Sequence, residues 1–140
     1  MNIIIILFIG LILRLTYLFQ KTGNIFLPDL GGDSCYHYNV AYNIATGLGP
    51  KTNFIFSYWF YHDQIPALTE LYGPGYYYFL SLFLFFKDEF ILLRISNLII
   101  GLLSILLAYL IGKLIHSKKL GYISALIICF NFFHIENSAV

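Results

Sequence analysis

The sequence predicts an all-α integral membrane protein, with about three transmembrane helices and juxtamembrane helices in its first outer loop. Three observations support this fold class. Hydrophobic residues make up 59% of the 140 residues and charged residues only 11%, whereas soluble domains carry about 25% charged residues. Aromatic residues reach 19%, and such rings favour the membrane–water boundary. Long apolar runs also recur along the chain, which is typical of membrane helices.

The first transmembrane helix is predicted at 1–19. Arg14 is the only charged residue there, and a span needs about 20 apolar residues. The alternative, a cleaved signal peptide, requires a basic start and a small-residue cleavage site. The start Met1-Asn2-Ile3 is not basic and no Ala-x-Ala pattern follows, so the sequence favours an uncleaved anchor.

A polar segment at 20–73 follows, and it is rich in glycine and proline. Within it, one helix is predicted near 33–46. Asp33 is a good start for that helix, because its carboxylate can accept backbone N–H groups of the first turn. The apolar run 76–86 is too short to cross a ~30 Å hydrocarbon core, since a helix rises ~1.5 Å per residue. It predicts an interfacial helix near 75–87.

Two more spans are predicted, near 90–112 and near 120–137. The stretch 95–112 contains no charged residue and is flanked by basic ones. Small residues recur there every four positions, a pattern typical of closely packed helix faces in membranes. These residues are Ser104, Ala108 and Gly112.

Charge predicts how the helices are oriented, because basic residues of short loops stay on the cytoplasmic side. The segment 113–119 contains three lysines and no acidic residue, while 20–73 contains only Lys21 and Lys51 as basic residues. We therefore expect 113–119 and the N-terminus inside and the loop 20–88 outside. The sequence thus predicts a multi-pass protein of the cell membrane.

The helix near 33–46 contains the candidate catalytic residue, Asp33. A carboxylate just outside the membrane could act as general base on an acceptor hydroxyl or amine, or ligate a divalent cation. The alternative is that Asp33 only caps the helix and that His37 is a solvated surface group. At 100° per residue, one face contains Asp33, His37, Val40 and Ile44, with Tyr36 and Asn43 at its edge.

Arg14 and Arg94 are the second candidate feature. An arginine in an apolar helix is costly and often marks function, and its guanidinium suits bidentate phosphate recognition. The alternative is snorkelling of the side chain to the lipid headgroups. The sequence favours snorkelling for Arg14 and leaves both interpretations open for Arg94.

Other features exclude several functions. The net charge of +1 argues against nucleic-acid binding, which requires a basic surface. Cys35 and Cys129 lie in different segments without a C-x-x-C motif, so neither a disulfide nor a cysteine metal site is expected. The aromatic run 58–62 could stack on a sugar, but it is more typical of an interface belt.

Three short motifs follow one another along the chain. They are Gly32-Asp33-Ser34 with Tyr36, Ala41, Asn43, Gly47 and Gly49; Tyr72-Gly73-Pro74-Gly75-Tyr76; and Arg94-Ile95-Ser96-Asn97-Leu98. In this order the chain resembles the N-terminal part of the C-type (GT-C) membrane glycosyltransferases. That family includes the protein O-mannosyltransferases and the lipid A aminoarabinose transferases.

The resemblance implies an all-helical bundle with its active site on the outer face. The implied reaction transfers a sugar from a polyprenyl-phosphate carrier to a lipid, glycan or protein acceptor. The position of Asp33 is the family's catalytic or metal-linked one, so a divalent cation is a possible cofactor. We expect Tyr36, His37 and Arg94 to bind substrate, with Arg94 near the carrier phosphate.

The chain departs from the family at three points. Gly73 stands where the aminoarabinose transferases have a lysine, and His37 stands where many relatives have tyrosine. The family's second acidic site would follow Val140. We therefore expect the N-terminal part of a longer enzyme, inactive alone. The alternative is a small non-enzymatic membrane protein, such as an assembly or transporter subunit.

Overall fold

The computed structural model describes residues 2–21, 33–53, 66–68, 73–87 and 89–139. These residues are predominantly α-helical, as the sequence predicted, with one short pair of strands. The aromatic run 58–62 lies outside the described residues. In chain order the elements are α1 (Ile3–Lys21), α2 (Asp33–Ala45), β1 (Lys51–Thr52), β2 (Ala67–Leu68), α3 (Pro74–Leu84), α4 (Phe90–Ile115), α5 (Lys118–Phe130) and α6 (Phe132–Ala139).

Two of these helices, α1 and α4, are long and apolar enough to cross a membrane. At ~1.5 Å per residue, the 19 residues of α1 and the 26 residues of α4 are comparable with a ~30 Å hydrocarbon core. A helix suits this setting because it satisfies its backbone hydrogen bonds within itself. The chain thus has the elements of a helical membrane protein.

The region predicted as a third span, 120–137, is divided between α5 and α6, which meet at a bend of 63°. Asn131 ends α5 in an extended conformation, with ψ 115°. Its side-chain Oδ1 accepts a hydrogen bond from the backbone N–H of His134 at 2.9 Å, so it also caps the start of α6. Asparagine is among the best N-cap residues. The pair therefore forms one broken span or a re-entrant loop, instead of one continuous helix.

The chain divides into two compact units, 1–25 with 94–140 and 26–93. In the first, α1, α4 and α5 share a buried apolar cluster. The predicted small-residue face contributes at Gly112, where an added Cβ would lie 3.0 Å from the Cα of Gly121 and 2.8 Å from Ser124 Oγ. Helices α4 and α5 therefore approach closely at this point. The buried apolar cluster shared by α1, α4 and α5 consists of Ile6, Ile105, Tyr109, Ala125 and Cys129.

In the second unit, α2 packs against α3. Gly47 and Gly49 follow α2 with positive φ angles of 86° and 80°, which glycine adopts without steric cost. A hydrogen bond connects the strand β1 to α2: the Nδ2 of Asn43 donates to the carbonyl of Lys51 at 2.8 Å. The chain that follows α2 is therefore held close to the end of that helix. The two buried apolar clusters of this unit consist of Tyr36, Val40, Ala41, Tyr77, Leu80, Leu84, Phe90 and Leu93.

Candidate functional site

The predicted catalytic residue, Asp33, is the first residue of α2 and is exposed. The first turn of a helix carries partial positive charge, which favours an ionised carboxylate there. Asp33 is the acidic residue of that turn. The arrangement presents a carboxylate to the surroundings from a rigid element.

His37 lies one turn further along α2 and is half-buried in a cluster of tyrosine rings. Its ring centroid lies 5.3 Å from that of Tyr76, edge to face, and 5.5 Å from that of Tyr77. Burial lowers the pKa of His37 below its ordinary value of 6.5, and the Asp33 carboxylate partly opposes this shift. His37 is therefore neutral near pH 7. The alternative interpretation of His37 as a solvated surface group is wrong, because the ring is packed among aromatic residues.

Tyr36 supports this cluster from the core. Only 3% of its surface is exposed, and its ring meets that of Tyr77 edge to face at 6.1 Å. Aromatic pairs in this geometry contribute about 0.5–1.5 kcal/mol beyond their burial. Of the residues predicted to bind substrate, His37 is thus half-buried beside the exposed Asp33, whereas Tyr36 is part of the hydrophobic core.

The site combines an exposed carboxylate with a neutral imidazole and apolar ring surfaces. A carboxylate can act as a general base, and ring faces can pack against apolar patches of a ligand. No group of three or more His, Cys, Asp and Glu side chains that could hold a metal occurs among the described residues. A cation at Asp33 would therefore need further oxygen ligands from a substrate or from other parts of the protein.

Arg94, the remaining predicted substrate-binding residue, lies near the start of α4 and is fully buried. Ser96, two residues later, is fully buried as well. A buried guanidinium does not snorkel to lipid headgroups, so that alternative does not fit Arg94. Asp33, Tyr36 and His37 belong to the unit 26–93, whereas Arg94 belongs to the other unit.

A second polar cluster surrounds Arg14, which is also fully buried. Its Nε donates to Ser138 Oγ at 2.8 Å and one of its terminal nitrogens donates to the carbonyl of Gly10 at 3.0 Å. The other terminal nitrogen lies 2.7 Å from Nδ1 of His134. Since a guanidinium can only donate, Nδ1 of His134 accepts and the ring is neutral, with its proton on Nε2. The prediction that Arg14 snorkels to the headgroups is therefore wrong.

The same helices, α1 and α6, meet again one turn away. Tyr17 donates its hydroxyl proton to Glu136 Oε1 at 2.7 Å, and its ring meets that of Phe132 at 5.9 Å. Sequence reasoning missed this cluster because it treated 120–137 as an ordinary apolar span. The available signal was the polar content of the segment, which includes His134, Glu136 and Ser138.

Comparisons with known proteins give no family for this chain. No protein-family model, curated protein or solved structure matches it. The chemistry of the residues described above therefore provides the basis for a functional proposal.

Proposed function

We propose that the chain is part of a membrane glycosyltransferase, acting on the outer face of the cell membrane. It transfers a sugar from a polyprenyl-phosphate carrier to a lipid, glycan or protein acceptor. The observation that carries the proposal is the exposed Asp33 carboxylate, which opens α2 beside the half-buried His37 ring. The presence of two helices long enough to cross a membrane supports the proposal that the substrate is itself anchored in lipid.

The proposed chemistry assigns Asp33 to the acceptor. The acceptor oxygen or nitrogen forms a bond to the anomeric carbon of the sugar, and the bond from that carbon to the carrier phosphate breaks. Asp33 accepts the proton that the acceptor loses, and the polyprenyl phosphate leaves with the bonding electron pair. A general base of this kind typically contributes 10²–10⁴-fold to a rate.

In this proposal, His37 and its neighbouring rings bind the sugar. A neutral imidazole can both donate and accept a hydrogen bond, which suits the hydroxyl groups of a sugar. The rings of Tyr76 and Tyr77 fix the orientation of His37 through the close contacts described above. Alternatively, Asp33 could serve as one oxygen ligand of a divalent cation instead of as the base, and such a cation would supply positive charge that stabilises the leaving phosphate.

A second candidate function is a subunit of a membrane transporter. The observation that favours it is the polar cluster between α1 and α6, because buried ionisable residues in apolar helices often line ion or substrate pathways. The two candidates differ in one measurement. Protein made from the complete reading frame should transfer sugar from a polyprenyl-phosphate donor only if the first candidate is right.

The proposed orientation predicts which parts of the chain a membrane-impermeant thiol reagent reaches. Cysteines are introduced singly as Ile55→Cys and Ser117→Cys in a background carrying Cys35→Ser, while the buried Cys129 is retained. We expect Ile55→Cys to react in intact cells and Ser117→Cys only after permeabilisation, because the lysine-rich segment stays inside. Reaction of both positions from the same side would exclude this orientation.

Arg94→Lys tests the proposed contact with the carrier phosphate. In protein from the complete reading frame, we expect weaker use of the donor, with a higher KM, because lysine lacks the planar fork that binds phosphate bidentately. The measurement is the transfer rate at increasing concentrations of polyprenyl-phosphate sugar. An unchanged KM for the donor would limit Arg94 to a structural role within its helix.

A further inference from the structure

The tip of the α4–α5 hairpin carries a concentrated positive charge. Lys113 lies in the last turn of α4, and Lys118 and Lys119 form the start of α5. All three are exposed, as is His116 between them. None of the three lysines forms a salt bridge with a carboxylate in the part of the chain that the structure describes.

Close helix packing holds these cations together. Ser117 caps α5 by accepting a hydrogen bond from the N–H of Leu120 at 3.3 Å, which leaves a connection of only two residues between the helices. A Cβ added at Gly121 would lie 2.6 Å from the carbonyl oxygen of Tyr109 and 3.2 Å from Cβ of Lys113. The lysine of α4 is therefore packed directly against the first turns of α5.

The two lysines of α5 occupy an unfavourable position within their own helix. The first turn of a helix carries partial positive charge and favours acidic residues, yet the first turn of α5 contains none. Lys118 and Lys119 thus add charge of the same sign as the helix terminus. A negative partner outside the described residues would remove this repulsion.

The surroundings of the tip indicate where that partner lies. Leu114 and Ile115, the last apolar residues of α4, are 84% and 76% exposed. Apolar side chains exposed beside lysines fit the boundary between acyl chains and headgroups, where lysine stems lie along apolar surface and their ammonium groups reach the phosphates. Anionic lipids attract basic segments at this depth.

We propose that the tip of the α4–α5 hairpin binds the phosphate groups of anionic membrane lipids. Lys113, Lys118 and Lys119 contact the phosphates. Leu114 and Ile115 anchor the tip in the part of the acyl chains next to the headgroups. The hairpin is thus a lipid-recognition surface in addition to a connection between helices. This inference does not depend on the proposed sugar transfer.

The test compares lipids retained by the purified full chain. The protein is placed in nanodiscs of phosphatidylcholine containing a minority of phosphatidylglycerol, partly delipidated, and examined by native mass spectrometry. We expect preferential retention of phosphatidylglycerol by the unaltered chain. Lys118→Gln with Lys119→Gln should reduce that preference by roughly fivefold for each lysine. The double variant should fold normally, because it removes charge repelled by the helix terminus.

Two control variants make the result specific. Lys87→Gln removes an exposed lysine that is paired with Glu89 at 2.6 Å, and we expect it to leave lipid retention unchanged. Lys118→Arg with Lys119→Arg retains the charge and should retain the preference. Equal retention of both lipids by the unaltered chain would overturn the proposal. Loss of preference in Lys87→Gln equal to that in the double variant would also overturn it, as would full preference in the double glutamine variant.

Discussion

Asp33→Asn is expected to lower the rate of sugar transfer at least about a hundredfold, the low end of general-base contributions. Asparagine retains a side-chain oxygen at the start of α2 and caps a helix about as well as aspartate. It removes the negative charge that a proton acceptor or a cation ligand requires. The substitution therefore separates catalysis from capping. The measurement is single-turnover transfer from a polyprenyl-phosphate sugar by protein made from the complete reading frame.

Glu89→Gln is the matched control for this prediction. It removes one negative charge from the same unit, at a carboxylate paired with Lys87, and we expect transfer to stay near normal. Both variants should insert into the membrane and fold as the unaltered chain does. Near-normal transfer by well-expressed Asp33→Asn would assign this aspartate to capping alone.

The helix that contains Asp33 could be predicted because its signals are local. Asp33 begins it, and glycines follow it at Gly47 and Gly49, where the chain adopts positive φ angles. The burial of Tyr36 and the packing of His37 could not be predicted in this way. Both depend on the contact of α2 with Tyr77 of α3, whose position the intervening sequence does not determine.

The polar cluster around Arg14 shows the same limit more strongly. The hydrogen bond between Arg14 and Ser138 joins residues 124 positions apart, so no local pattern predicts it. Composition correctly marked α1 as apolar and Arg14 as an exception. The expectation that the guanidinium reaches the headgroups was wrong because the hydrogen-bond acceptors lie on α6. With 120–137 interpreted as one continuous span, those acceptors could not be recognised. The bend falls at Asn131, a polar residue between Phe130 and Phe132.

Gly101→Ala is expected to destabilise the unit 1–25 with 94–140 severely. An added Cβ would lie 2.6 Å from Cβ of Ser138 and 2.8 Å from Nε of Arg14. Both distances are shorter than those at which real Cβ atoms approach other heavy atoms. Overpacking of this kind costs about 1–3 kcal/mol, and loss of a hydrogen bond to a charged donor costs about 1.5–3 kcal/mol. The free energy of unfolding should therefore fall by roughly 2.5–6 kcal/mol if both are incurred. Thermal unfolding in detergent would show this as a lower Tm.

Gly75→Ala in α3 is the control, because an added Cβ there meets nothing within 4 Å and alanine favours a helix over glycine. Its Tm should equal or exceed that of the unaltered chain.

Ser138→Gly removes both Ser138 atoms that the new methyl would meet, although it also removes the hydroxyl that Arg14 contacts. The two substitutions share one cause of strain. Gly101→Ala combined with Ser138→Gly should therefore be less destabilised than the sum of the single variants, with a coupling of about 1 kcal/mol or more. Strict additivity, or an unchanged Tm for Gly101→Ala, would show that α4 does not meet the Arg14–Ser138 pair at Gly101.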